Sequence, residues 1–211
     1  MENKKETIKE VFVRVKDRIL LINSSPFSEL EAIRAEPSNV SWHKKKFVVP
    51  MMLAITVATF LGYLLALSIY NYSFVYIAIK AVSAFCESFF TLWVSSLILK
   101  ELAVKLKSPV GYSNLFKLMT YSFSAFFAAE IVAGFLANYK TLGSFIKFLG
   151  LFGIFPFWIG CEMLLNISAK KRLELILVSL IVVLVVYFLI SWSFGFALRA
   201  AHIAGMLNEN P

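Results

Sequence analysis

Five apolar runs, each about as long as a bilayer is thick, constrain this 211-residue chain more than anything else in it. A hydrocarbon core of about 30 Å takes about 20 apolar residues as a helix. Residues 47–69, 75–99, 118–137, 145–165 and 173–198 each meet that length. The runs are continuous rather than alternating, which argues for helices over membrane β-strands. Composition agrees: 59% of residues are hydrophobic, only 16% are charged, and the mean hydropathy is +0.76. The expected fold class is all-α, a polytopic bundle of five transmembrane helices. Residues 1–46 form a cytoplasmic N-terminal region, 47–199 the membrane domain, and 200–211 a short external tail. Residues 1–46 carry no apolar run near the start, so the first span is expected to serve as the insertion signal.

The basic residues lie on one side of these runs. Residues 1–46, the 100–117 segment and Lys170–Lys171–Arg172 together hold 17 of the 21 Lys and Arg. The positive-inside rule therefore places the N-terminus in the cytoplasm. With an odd number of spans, the C-terminus is expected outside.

Ile8, Val11, Phe12, Val15, Ile19 and Ile22 recur at helical spacing, which predicts an amphipathic helix over about 4–22. Ser25 and Pro26 suit the N-cap and first position of a second short helix, about 26–35. Lys9, Arg14, Lys16 and Arg18, with Lys44, Lys45 and Lys46 before the first span, form a candidate surface for anionic lipid headgroups or a cytoplasmic protein partner. Periodicity leaves two placements open for the helix, on lipid or on the protein's own loops. Nothing points to nucleic acid, and the oligomeric state is not specified.

Hydrophobicity does not hold helices together in lipid, so close backbone approach does. Ala54, Ala58, Gly62 and Ala66 in the first span, Ala125, Ala129, Ala133 and Ala137 in the third, and Gly143, Gly150, Gly153 and Gly160 in the fourth mark packing faces. Pro156 predicts a kink near Phe152. The fifth span is nearly uniformly aliphatic, as suits a lipid-facing position.

Four ionisable side chains lie within the runs: Lys80 and Glu87 in the second, Glu130 in the third, Glu162 in the fourth. Such residues face the bundle interior or a wet cavity and mark candidate sites. Lys80, Ala84, Glu87, Ser88, Thr91 and Ser95 form one stripe at helical spacing. Lys80 and Glu130 sit at matching depths, about 8 and 10 Å below the outer boundary, so a Lys80–Glu130 pair is expected. Glu162 is within reach of the Lys170–Arg172 cluster. The dipeptides Cys86–Glu87 and Cys161–Glu162 lack the histidines and spacing of a metal centre, and no catalytic or cofactor motif occurs.

Four passages carry a resemblance to a known family. They are 13–37 (VRVKDRILLINSSPFSELEAIRAEP), the 84–106 second span with its basic loop, 112–127 (YSNLFKLMTYSFSAFF), and 148–177 with its glycines, short basic turn and aliphatic run. In this order they resemble the YIP family of Ypt/Rab-interacting, five-span membrane proteins, in a bacterial version. Two positions depart from that pattern: Ala125 stands where family members often have Pro, and Ser108–Pro109–Val110–Gly111 where they often have a Gly pair. The resemblance implies a non-enzymatic membrane organiser in a bacterial inner membrane, acting through its N-terminal region and basic loops. The residues themselves also support a small channel or transporter using Glu87, Glu130 and Lys80. A water-accessible cavity reaching Glu87 would favour the second reading, and a dry, packed stripe the first.

Overall fold

A computed structural model describes residues 7–70, 72–105 and 110–208, and among them all regular structure is helical. Two short helices precede the apolar runs: α1 (Ile8–Ser24) and α2 (Pro26–Ala35). Thr7 caps α1 through a capping box. Its Oγ1 accepts from Glu10 N at 3.4 Å, and its own N–H donates to Glu10 Oε2 at 2.7 Å. That box starts the helix at Ile8. Residues 4–6 of the expected 4–22 helix lie outside the described residues. Pro26 opens α2 as its pre-set φ allows, without a side-chain bond from Ser25.

Val15 and Ile22 are buried and Ile19 is half-buried, so α1 lies on the protein. Phe12, expected on the same face, is instead 39% exposed. In α2, Leu30 and Ile33 are buried, and the helix packs on the fourth span.

Among the described residues, four helical stretches are long and apolar enough to cross a membrane: Val40–Leu65, Phe74–Lys105, Thr141–Met163 and Ala169–Phe196. A fifth exists if one bent pair counts as a single span. The first stretch comprises α3 (Val40–His43), a π-helical turn over Lys44–Val48, and α4 (Val49–Leu65). Pro50 has no N–H to offer the Lys46 carbonyl, and Arg14 Nη2 donates to that carbonyl at 3.0 Å. A short helix α5 (Leu67–Tyr70) ends this part.

The second span is the 32-residue α6 (Phe74–Lys105), longer at its basic end than the expected 75–99. The third departs most from expectation. It consists of α7 (Tyr112–Ser122) and α8 (Ser124–Phe135), bent by 42°, rather than one straight 118–137 helix. Every residue from Leu115 to Ser122 is buried. Helix α7 packs against α1, α3, α6 and α10 (Ile154–Met163), so it is enclosed by protein.

The fourth span joins α9 (Lys140–Phe148) to α10 through a 3₁₀ turn over Leu149–Gly153. The turn sits where Pro156 fails to donate to the Phe152 carbonyl. Asn166, at φ 52°, takes the left-handed conformation that Asn tolerates in the reversal into α11. Helix α11 runs from Ala169 to Asn208, well past the expected end at 198. The segment from 200, expected as a short external tail, continues this helix as far as 208, and 209–211 lie outside the described residues. Ile181, Leu184, Phe188 and Trp192 are exposed on α11, which packs against α6 and α10.

The glycines mark how the helices meet. A Cβ on Gly62 of α4 would overlap the Gly134 carbonyl of α8, and one on Gly134 would come within 2.7 Å of Thr59 Oγ1. The fourth span runs antiparallel to the third in matching steps: Gly143 on Ala133, Gly150 on Phe126, Gly153 on the Ser122 carbonyl, Gly160 on Leu118. Gly153 thus meets the third span at its bend.

Candidate intramembrane site

The Gly143–Ala133 contact sets a register with a chemical consequence. Three residues back from Ala133 is Glu130, and four residues on from Gly143 is Lys147. In an antiparallel pair these displacements lead to the same place. Lys147 Nζ lies 2.9 Å from Glu130 Oε1, a close ion pair that falls outside hydrogen-bonding angles. The expected Lys80–Glu130 pair is therefore corrected: Glu130 pairs with Lys147. Depth matching compared only the second and third spans, whereas the glycine packing brings the fourth span's lysine closer. The four-residue spacing of Lys147 from Gly143 is the sequence signal that points to it.

Helices α4, α6, α8, α9 and α11 enclose a cavity of about 220 Å³ around this pair. Lys80, Glu87, Glu130 and Lys147 all line it, together with Tyr63 and Tyr187. Helix α6 supplies Lys80, Ala84, Glu87 and Ser88 from one face, as their spacing requires. Glu87 Oε2 accepts from Ser191 Oγ of α11 at 3.2 Å, a partner that the sequence did not indicate. Thr91, the next member of the stripe, is buried without lining the cavity, and its Oγ1 has no hydrogen-bond partner among the described residues. Two ammonium and two carboxylate groups thus share one small space among apolar helices. Lys147 and Glu130 are matched, and Lys80 and Glu87 face the same space from one helix.

Glu162 belongs elsewhere. It is exposed at the α10–α11 reversal, where Arg172 Nη2 donates to its Oε2 at 2.7 Å and the guanidinium lies 5.3 Å from the Trp158 ring centroid.

A second polar cluster holds the N-terminal helices to the membrane domain. Arg18 donates to Glu29 and Glu36. Glu36 Oε2 also accepts from Tyr121 Oη at 2.7 Å, and His43 Nδ1 lies 3.8 Å from it. Lys117 is buried within α7, and its Nζ donates to the carbonyls of Ile33 at 2.9 Å and Glu36 at 2.8 Å. It thereby caps the C-terminus of α2, adding to the Glu36 N–H bond on the Ile33 carbonyl and satisfying the Glu36 carbonyl beyond it. Burial opposes the Arg18 charge, but the carboxylates of Glu36 and Glu29 outweigh it and hold the guanidinium above its ordinary pKa.

This cluster corrects the expected basic surface. Of the seven residues proposed there, Lys9, Lys16 and Lys45 are exposed. Arg14 and Arg18 are half-buried in the contacts just described. Lys46 is half-buried as well, with its carbonyl held by Arg14. Lys44 turns inward, with its Nζ 5.4 Å from the Trp93 ring centroid, 5.7 Å from Phe89 and 5.8 Å from Phe116. Charge runs in a sequence read as solvated surface, but here the nearby carboxylates, carbonyls and aromatic rings compete for them. No family model, no curated protein and no solved structure matches the chain.

Proposed function

We propose that the chain is a five-span, non-enzymatic integral membrane protein that admits a small cation or a proton to the Lys80–Glu87–Glu130–Lys147 cavity and passes it across the bilayer. One observation carries the reading: four charged side chains line a single cavity of about 220 Å³ between apolar helices. Each would cost about 2.5–3.5 kcal/mol at a bilayer centre, a cost that folds retain at ion and proton paths. Lys147 balances Glu130, and Glu87, held by the Ser191 hydroxyl rather than by an ion pair within 4 Å among the described residues, is the group that takes the passing charge. Lys80, two helical turns and about 10 Å of rise away on the same face, supplies the positive charge that helps release it. The lopsided basic residues support an N-terminus on the cytoplasmic side of a bacterial inner membrane.

The test is flux into proteoliposomes, followed with an internal pH dye and with cation-selective dyes. Wild-type protein supports flux in this reading, and Glu87→Gln abolishes it while the protein remains folded. Wild-type vesicles no leakier than empty ones would overturn it.

A membrane organiser of the kind implied by the YIP resemblance is the second reading. It is favoured by the exposed Lys9, Lys16 and Lys45 at one end of the bundle. Charge reversal at these three positions separates the readings, because it disrupts partner or lipid association without changing flux.

A further inference from the structure

Helix α1 lies across the bundle at the level where the apolar runs begin. Near its middle, Arg14 holds the carbonyl of Lys46, the last basic residue before the first span. Near its end, Asn23 Nδ2 lies 3.5 Å from Ser124 Oγ, just past the bend in the third span. Between these anchors, Arg18 sits 6.0 Å from the Tyr121 ring centroid, and Phe47 packs on the same ring at 4.9 Å. The basic Lys44–Lys46 turn and the first buried apolar residues, Phe47 and Val48, thus flank the helix. That layer is where a bilayer changes from headgroup to hydrocarbon.

The face of α1 turned away from the protein is not a water-facing surface in composition. Phe12, Val13 and Leu20 are exposed, Leu20 by 59%, and they share a sector of about 100° with Lys9 and Lys16. Lys16 Nζ lies 3.4 Å from Asp17 Oδ1, with both side chains mostly open. Beyond the reversal, Phe27 of α2 is 63% exposed. The adjoining groove of about 800 Å³ between α1 and α2 is lined by both charge signs, with Glu10, Asp17 and Glu29 beside Lys9, Arg14 and Arg18, so the lipid-facing sector is the outer one that carries Lys9 and Lys16. Within that sector Lys16 and Lys9 lie between Phe12 on one side and Leu20 and Val13 on the other, so their aliphatic stems can lie along apolar neighbours while the ammonium groups reach headgroups, as on a helix seated in a membrane interface.

We infer that this face is occupied by lipid: α1 lies in the plane of the leaflet flanking the Lys44–Lys46 end, with Phe12, Val13 and Leu20 among acyl chains and Lys9 and Lys16 on anionic headgroups. The occupant follows from position and charge together. The helix is fastened to the span ends at the level of the headgroups, and its exposed lysines complement anionic phosphate. The inference does not depend on what the cavity carries.

Nitroxide labels at Phe12→Cys, Leu20→Cys and, as an aqueous reference, Glu31→Cys test it in proteoliposomes with and without phosphatidylglycerol. Label taken up by the unsubstituted protein at Cys86 or Cys161 is subtracted. The expected ratio of oxygen to nickel-chelate collisions is several-fold higher at positions 12 and 20 than at 31. Phosphatidylglycerol raises it further, and Lys9→Gln with Lys16→Gln removes that increment. Nickel access at 12 and 20 equal to that at 31 would overturn the inference and leave the face to a soluble partner. Exclusion of both reagents would overturn it in favour of a second protein copy.

Discussion

Lys147 Nζ of α9 lies 2.9 Å from Glu130 Oε1 of α8, and the pair lines the cavity that Glu87 and Lys80 also reach. Removing one partner strands a charge among apolar helices. Glu130→Gln or Lys147→Met should each cost about 2 kcal/mol, at the lower end of the range because the Lys147 side chain is 41% exposed. The double variant should recover most of that loss. Lys80→Met combined with Glu130→Gln should simply add. Unfolding in detergent measures both cycles, and coupling in the Lys80 cycle would contradict the observed pairing.

Gly62 and Gly195 make opposite predictions for the same substitution. A methyl group on Gly62 overlaps the Gly134 carbonyl, a backbone atom with no rotamer to change. Gly62→Ala should therefore destabilise by about 1–3 kcal/mol. Gly195 in α11 has nothing within 4 Å of the new atom, so Gly195→Ala should stabilise by about 0.5–1 kcal/mol. Thermal midpoints in one detergent should move in opposite directions.

Lys117 and Glu36 hold the N-terminal helices in place. Lys117→Met removes the ammonium that bonds the Glu36 carbonyl and leaves the Ile33 carbonyl with only the Glu36 N–H, a loss of about 1–3 kcal/mol. The effect should be local. Hydrogen exchange should accelerate over residues 26–36 and remain unchanged within α4 and α6. Glu36→Gln should loosen the same segment, since it weakens the contacts from Arg18 and Tyr121.

Lys44 and Trp93 should show measurable coupling. A cation against an aromatic ring contributes about 0.5–1 kcal/mol when exposed and about 2 kcal/mol when desolvated. With Lys44 half-buried among three rings, the Lys44→Met and Trp93→Leu cycle should give about 1 kcal/mol. Zero coupling would show that the ammonium points to water.

The apolar runs and small-residue stripes were legible because each depends on spacing within one segment. Helix α2 and the seating of Gly143, Gly150, Gly153 and Gly160 along the third span follow from such local patterns. What the sequence concealed depends on two segments at once. Lys117 reads as one more basic loop residue until the end of α2 lies above it. Glu130 could be matched to Lys80 by depth alone, yet helix register decided for Lys147. The bend at Phe123 carries no proline or glycine of its own and lies where Gly153 meets Ser122.

The contacts from Lys117 and Tyr121 to α2 join residues more than 80 positions apart. A ribosome adding roughly 5–20 residues per second needs about 4–16 s to cover that distance. During that interval the first span is already being threaded, while the segment preceding it still lacks its clamp. In the proposed arrangement with a cytoplasmic N-terminus, charge would therefore choose the orientation before the N-terminal helices dock, and the clamp would preserve an arrangement that it had no part in selecting.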